Sequence, residues 1–440
     1  MATRRKRGRP VCIIDGSRTP FLKAQGKPGP FRASDLAVGA ARPLLERLPL
    51  DPGKVDEVIL GCVMPGPEEV NIARVVALRL GFPQEIPAWT VQRNCGSGMQ
   101  ALDAAVTRIR EGRAGLVLAG GTEAMSHAPV LWNTAFAAWL GEWSRARSPM
   151  ARVAALGRLR LEMFKPVIGL LKGLTDPLVG LSMGQTAEEL AWRFRISREE
   201  MDRFAQQSHH RIARAHDDGL LAEEVEPLYD TRGRTWLEDT GVRRDTTLER
   251  LAKLRPVFDR PFGLVTAGNS AQVSDGAAWL LLADPDVAER EGLPVLAEIV
   301  DSQWAGLDPA QMGLGPVHAM TPIMERNRLS IDRVDFWEIN EAFAAQVLAC
   351  LAAWADEAWC RKHLGRKKAM GTIPRERLNV DGGAISIGHP VGASGARIVL
   401  HLARLLQRER ASLGMASLCI GGGQGGAMLI RRTDNGESNQ

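Results

Sequence analysis

Cysteine is sparse in this 440-residue chain: Cys12, Cys62, Cys95, Cys350, Cys360 and Cys419 show none of the dense, regular spacing of a disulfide scaffold. A reducing, cytoplasmic setting is the expectation. Long apolar runs are missing too, since the best window, 166–183, is interrupted by Lys172, Asp176 and Pro177. No segment reads as a membrane span. Excess charge is absent from the body as well, although the net charge is +5. Five of the 56 basic residues (Arg4, Arg5, Lys6, Arg7 and Arg9) sit in an acid-free tail at 1–10, which leaves 51 bases against 51 acids elsewhere. A nucleic-acid partner is therefore not expected, because it would require a basic face on the folded part.

With 45% hydrophobic and 24% charged residues, the composition is that of a globular protein. Short β-rich runs (11–14, 58–61, 116–119, 278–282, 336–339, 417–420, 427–430) alternate with segments of helical period (34–45, 97–110, 197–217, 342–354, 395–407). That alternation predicts α/β layering. Ser197 and Glu200 form a capping-box start for the third helix.

The chain also reads as duplicated. Asp51-Pro52-Gly53-Lys54-Val55-Asp56-Glu57-Val58 leads into a strand, as Ser330-Ile331-Asp332-Arg333-Val334-Asp335-Phe336 does later. Gly96-Ser97-Gly98 and Ala393-Ser394-Gly395 each open a helix, and a strand running into Gly120-Gly121 is echoed by one running into Gly421-Gly422. Two α/β halves, 11–285 and 295–440, are expected. The first carries an insertion at 130–183 with apolar residues at Val153, Leu156, Leu159, Met163, Val167 and Leu170, an amphipathic helical spacing. Seven bases against three acids between Gly141 and Gly180 make it locally basic. A phosphate-bearing ligand, a membrane surface, a partner, or simply a solvated face all fit such a cap.

Three positions invite chemistry. Cys95 precedes a helix, where unpaired N–H groups and the dipole are expected to favour its thiolate and to hold an oxyanion. His389, in the glycine-rich run 382–395, also precedes a helix and suits proton transfer. Cys419 ends a strand before Gly421, Gly422 and Gly423, placing a second thiol beside backbone N–H groups. The run Gly421-Gly422-Gly423-Gln424-Gly425-Gly426 matches a dinucleotide fingerprint by letter, but a strand follows where that motif needs a helix. Cys350, Cys360 and His363 lack a close cysteine pair and a nearby fourth ligand, so no metal site is expected.

Taken together, Cys95, Asn340-Glu341-Ala342-Phe343, Gly388-His389-Pro390 and Cys419-Ile420-Gly421 resemble the active-site set of the thiolases. The runs 119–126, 183–188 and 266–270 fall in the same family order. The resemblance implies a five-layered α-β-α-β-α fold of two similar halves with an inserted loop domain. It also implies a two-step acyl transfer between CoA thioesters, with no permanently bound cofactor. Carried over by motif, Cys95 is the nucleophile, and His389 activates it and polarises the second thioester with a water held by Asn340. Cys419 manages the α-proton, and the N–H groups of Cys95 and Gly421 hold the acyl oxygen. Ser270 resembles the contact to the pantetheine arm, with Met183 and Phe343 lining it. A homodimer or homotetramer is expected, and a hydratase/dehydrogenase partner subunit or a peripheral membrane contact through 130–183 is left open.

The family details are mixed. Asn340 to Phe343 and Gly392 to Gly395 look like short-chain acetoacetyl-type members. The linker 359–366 and the long insertion look like β-subunits of fatty-acid oxidation complexes, and Ser182 stands where many short-chain members have histidine. A decarboxylating ketoacyl synthase, which pairs its cysteine with two histidines, and a non-catalytic CoA-binding scaffold are the rival readings.

Overall fold

The computed structural model describes residues 9–433. The first half contributes β1 (Val11–Arg18), α1 (Ala33–Arg47), β2 (Glu57–Gly61), α2 (Ile72–Arg79), β3 (Ala88–Val91), α3 (Ser97–Arg110) and β4 (Leu116–Ala124). The insertion follows with α4 (Thr134–Arg145) and α5 (Pro149–Leu156), then α6 (Met183–Arg193), α7 (Arg198–Asp217) and β5 (Ser274–Ala283). The second half is β6 (Ala297–Gly306), α8 (Gly315–Arg326), β7 (Phe336–Ile339), α9 (Ala344–Ala355), α10 (Ser394–Arg408), β8 (Leu413–Ile420) and β9 (Gln424–Arg432).

The strands run in the order β7-β8-β9-β6-β1-β5-β4-β2-β3, with Leu22–Lys23 paired beside β5. Each half is thus a mixed sheet: β2 lies parallel to β4 and β4 antiparallel to β5, as β7 lies parallel to β8 and β8 antiparallel to β9. Antiparallel pairing of Val11–Ile13 with Ala297–Ile299 joins the two into one continuous sheet. The layers fall on either side of it. Helices α1 and α2 cover the first half with one apolar core, and α8 and α9 cover the second with another. Between the half-sheets lie α3 and α10, whose core includes Met99, Leu102, Ile398, Leu402 and Leu406. Those side chains are fully buried, so truncating any one to alanine removes roughly 2–5 kcal/mol. This is the five-layered arrangement.

Atomic detail repeats across the halves. Asp56 Oδ2 accepts the N–H groups of Gly115 and Leu116 at the start of β4, and Asp335 Oδ2 accepts those of Ser412 and Leu413 at the start of β8. The register of β1 slips at Asp15 and that of β6 at Asp301. Each bulge is held by the last arginine of the helix that follows: Arg47 Nε donates to Asp15 Oδ2 at 2.7 Å, and Arg326 Nε donates to Asp301 Oδ2 at 2.5 Å. Among the described residues the second half has no full counterpart of β3. Only a single parallel bridge, Trp337 with Leu378, stands there, and Asn379 closes the edge by bonding both backbone groups of Ile339 at 2.9 Å.

Several elements differ from the sequence expectation. The four half-buried residues of β3 and the polar-flecked β6 carry no clean alternation, and neither was expected as a strand. The amphipathic spacing through 153–170 does not make one helix. Helix α5 stops at Leu156 before Gly157, and a short 3-10 turn at Leu161–Phe164, a two-residue strand at Val167–Ile168 and a five-residue helix at Gly169–Gly173 follow Pro149–Leu156 in sequence. The first eight residues of the basic tail lie outside the described residues.

Buried polar contacts fasten the loop region to both halves. Arg18 of β1 donates to Glu224 and, bidentate, to Asp239 at 2.8–3.0 Å, all fully buried. Ser208 of α7 donates to Glu341 at 2.6 Å, and Arg211 donates to the carbonyls of Leu378 and Asn379. Ser197 caps α7, with Glu200 completing the box.

Candidate active site

Four chain segments converge where β4 and β8 end and α3 and α10 begin. Their approach is too close for side chains: a Cβ at Gly121 would lie 1.9 Å from the Gly392 carbonyl, and one at Gly98 would lie 2.7 Å from it. Glycine at these positions is what brings the Cys95 loop and the His389 loop together. Gly388 sits at φ +106°, a backbone open to glycine, and the chain turns there so that the next residue, His389, is buried.

Cys95 directly precedes Gly96, the N-cap residue of α3, which makes no side-chain cap. Before it, Asn94 adopts a left-handed backbone, φ +43°, and its Nδ2 donates to the Gly421 carbonyl at 2.8 Å. That bond fixes the peptide segment whose N–H faces the thiol. The Gly421 N–H and Cys95's own N–H both pull the thiol pKa down, yet burial outweighs them and leaves it raised. The thiolate favoured by a helix terminus is therefore not the resting state. Cys419, at the end of β8, is pushed well above the ordinary thiol value, chiefly by burial.

His389 is buried, and burial, then the charge of Arg397, lowers its pKa to about 4. It is a neutral imidazole at physiological pH. Its Nδ1 stands 2.6 Å from Ser394 Oγ, which in turn donates to the Pro390 carbonyl at 3.1 Å. This pattern assigns the proton to Nδ1 and leaves the Nε2 lone pair free. His389 Nε2 and Asn340 Oδ1 are both buried without a hydrogen-bonding partner among the described residues. Two buried polar atoms left open on neighbouring side chains, whose Asn340 Nδ2 and His389 Nδ1 are 3.5 Å apart, are a feature of a site built to receive a polar group.

The remaining positions named from the sequence are placed by backbone contacts. Ser270 and Phe343 lie in an antiparallel bridge, secured by Ala271 N–H to the Ala342 carbonyl and Ala344 N–H to the Asn269 carbonyl. The Ser270 hydroxyl donates to the Thr266 carbonyl at 2.7 Å. The His389 N–H bonds the Gln272 carbonyl at 3.1 Å, tying this segment to the imidazole loop. Met183 opens α6, and its sulfur lies 3.2 Å from the Cβ position of Gly421. Behind the cysteine, buried Glu123 accepts from the N–H groups of Val63 and Met64, and burial raises its pKa to about 7.

Ser394, Asn94 and Arg397 were not singled out from sequence as site residues. A signal for Ser394 was present, five residues after His389 at the first position of a helix, where a hydroxyl can reach back to a loop histidine. Asn94 and Arg397 gave none. Of the other cysteines, Cys350 and Cys360 direct their thiols at the carbonyls of Gly313 and Ala353, 3.2 and 3.3 Å away, Cys62 donates to Glu123, and His363 stacks on Trp359. A recess of 590 Å³ between Leu22–Pro30 and 230–240 contains none of Cys95, Asn340, His389 and Cys419. The glycine run after Cys419 is the turn of the β8–β9 hairpin and not a nucleotide loop.

Comparison with known proteins agrees with this geometry. Residues 11–286 match the thiolase N-terminal domain and residues 293–432 the thiolase C-terminal domain. The chain is 39% identical to the 3-oxoadipyl-CoA/3-oxo-5,6-dehydrosuberyl-CoA thiolase of Escherichia coli (strain K12), with 96% of this chain and 100% of that protein covered. It is 35% identical to the mitochondrial trifunctional enzyme subunit beta of Bos taurus, over 96% of this chain and 88% of that one. Human mitochondrial 3-ketoacyl-CoA thiolase in complex with CoA superposes with a TM-score of 0.82 at 37% identity, covering 97% of this chain and 98% of that chain. The chain belongs to the thiolase family and is a CoA-dependent acyltransferase of thiolysis and its reverse, Claisen condensation.

Proposed function

We propose that Cys95 carries the acyl group and that His389, Asn340 and Cys419 divide the remaining proton and charge work. In the thiolysis direction His389 Nε2 takes the Cys95 proton, and the sulfur attacks the 3-keto carbon. The Cα–Cβ bond breaks, its electron pair forms the enolate of acetyl-CoA, and the Cys419 thiol protonates that carbon. The enolate oxygen lies against His389, now protonated at Nε2, and the group bound by Asn340. The acyl-enzyme oxygen faces the N–H groups of Cys95 and Gly421. Free CoA then attacks the thioester, its thiol proton restores Cys419 to the thiol, the departing Cys95 sulfur takes back the proton held on His389 Nε2, and acyl-CoA leaves. Met183, Ser270 and Phe343 line the pantetheine arm.

The observation that carries this reading is the buried, unpartnered Nε2 of a neutral His389, on a loop that meets the Cys95 loop at the close approach of Gly98 and Gly392. Incubating the enzyme with acetyl-CoA alone should place one acetyl group on the Cys95 peptide, and Cys95→Ser should abolish it. Label found elsewhere, or turnover in the variant, would remove the nucleophile from Cys95. The absence of any need for malonyl-CoA separates this chemistry from a decarboxylating ketoacyl synthase.

The same proposal extends to setting and substrate. The enzyme works as a homodimer or homotetramer in the cytoplasm, without a permanently bound cofactor. The free cysteines Cys12, Cys62, Cys95, Cys350, Cys360 and Cys419 support a reducing compartment. Light scattering tests the assembly. Thiolysis rates across 3-ketoacyl-CoA chain lengths decide between acetoacetyl-CoA and longer substrates.

A further inference from the structure

The two N–H groups assigned to the acyl oxygen come from opposite halves of the chain, Cys95 just before α3 and Gly421 just after β8. Their separation is therefore set by tertiary contacts. The Gly421 side has no side chain of its own to set it, because Gly421, Gly422 and Gly423 are a run of three glycines, the last two at φ +90° and +74°. Such a turn has to be fixed from outside. One end is fixed by Leu307, whose N–H donates to the Gly423 carbonyl at 2.8 Å. The other is fixed by Asn94, whose Nδ2 donates to the Gly421 carbonyl, also at 2.8 Å. The carbonyl and N–H of Gly421 flank one α-carbon, so holding the first limits rotation of the second about a residue that is otherwise free to turn.

The contacts of Asn94 aim its amide at this carbonyl. Its backbone is left-handed at φ +43°, a conformation that asparagine tolerates and that bulky or β-branched residues resist. Ser97 clasps that backbone: its N–H and its hydroxyl both donate to the Asn94 carbonyl, at 3.0 and 2.7 Å, and its oxygen accepts the Arg93 N–H at 2.8 Å. Gln92 Nε2 donates to Asn94 Oδ1 at 3.2 Å, which leaves the amide nitrogen for Gly421. The preceding residue makes a second crossing between the halves, with the Arg93 guanidinium 4.2 Å from the ring centroid of Trp304 on β6. A Cβ on Gly96 would lie 2.6 Å from Ile420 Cδ1, so the Cys95 loop packs directly on the last residue of β8. The Gly421 N–H, in turn, reaches the Cys95 thiol closely enough to draw its pKa down against burial.

We propose that Asn94 is a positioning residue of the acyl-oxygen site: its amide, bonded to the Gly421 carbonyl, sets the Gly421 N–H against the Cys95 N–H in the geometry that a tetrahedral oxyanion requires. The proposal rests on the reading that the acyl oxygen faces those two N–H groups. Asn94 itself exchanges no proton in the reaction. Its bond lies wholly within the protein, so the two donors are ordered in folding and need no rearrangement as charge develops on the oxygen.

Asn94→Gly and Asn94→Asp test it together in the full-length enzyme. Glycine accepts the left-handed backbone and removes only the amide, whereas aspartate keeps the shape but sets an acceptor against the carbonyl. Both should lower kcat about 10- to 100-fold, less than loss of an oxyanion donor itself, with the KM for acyl-CoA unchanged within about twofold. The signature that separates positioning from a structural role is the carbonyl stretch of the acetyl-enzyme, read by isotope-difference infrared spectroscopy of a labelled acetyl group. Hydrogen bonds to the carbonyl oxygen lower that frequency, so it should stand below that of free acetyl-CoA in the unaltered enzyme and move back up in both variants. No lowering in the unaltered enzyme would overturn the two-donor reading and this proposal with it. A lowering that persists in full in the variants would overturn the role of Asn94 and leave that reading standing. A raised KM with kcat unchanged would overturn it too, by moving Asn94 to substrate binding.

Discussion

The resting protonation of the cysteine–histidine pair can be measured directly. Burial holds the Cys95 thiol above its ordinary pKa and holds His389 down at about 4, so between pH 5.5 and 8.5 both groups are neutral. A thiol with a pKa above 9 is less than about 1% thiolate at pH 7 and gains tenfold in thiolate for each unit of pH. Alkylation of Cys95 by iodoacetamide, followed by peptide mass, should therefore rise along a line of unit slope. Over those three units the gain is on the order of 1000-fold. An ion-paired thiolate–imidazolium couple behaves oppositely, with a rate nearly flat across the same range. A plateau below pH 7.5 would refute the argument that desolvation outweighs the helix terminus and the Gly421 N–H.

Three other outcomes follow from contacts already described. Cys419→Ser should still form the acyl-enzyme but lose hydrogen–deuterium exchange at the acetyl-CoA methyl; surviving exchange would make Cys419 structural only. Arg397→Met removes the charge that, after burial, holds His389 down, so the His389 pKa rises and the acid limb of kcat/KM moves to higher pH; an unmoved limb would refute this. Arg18→Met strands Glu224 and Asp239 in the interior and should cost about 3–5 kcal/mol at pH 7 by denaturant titration. Glu224 is held at about 2, below its unfolded value, so its stabilisation is present above that unfolded value and fades as pH falls through the folded one. The gap between variant and parent should narrow in acid, and a gap that widens would be the wrong sign.

How legible the molecule was in its sequence follows from what each signal depends on. The helix at 97–110 and the Ser197 capping box were readable because both are set by neighbours three and four residues apart. The duplication was readable through Asp56 and Asp335, which proved to make the same pair of backbone bonds in each half. Strand β3 was not, since its pairing with β2 is a tertiary contact and Ala88–Val91 has no alternation to announce it. The insertion misled for a related reason. Helical spacing was there, but the helix stops at Gly157, and of the apolar positions Val153 and Leu156 stay exposed while Leu159, Met163, Val167 and Leu170 are half-buried.

The site shows the same division at finer scale. Motif order pointed to Cys95, Asn340, His389 and Cys419, but their protonation could not be read from it. A helix N-terminus argues for a thiolate, and that argument holds for a solvated cysteine. Here Cys95 keeps part of its surface open, yet the desolvation imposed by the converging loops exceeds the pull of two N–H groups. The consequence bears on mechanism. A cysteine kept as a thiol needs a base with a free lone pair, and the Ser394–Pro390 relay leaves one on His389 Nε2. Once that nitrogen has taken the proton it becomes the donor that the second substrate's oxygen requires. One atom thus serves both half-reactions, because the fold presents His389 neutral with its proton on the other nitrogen.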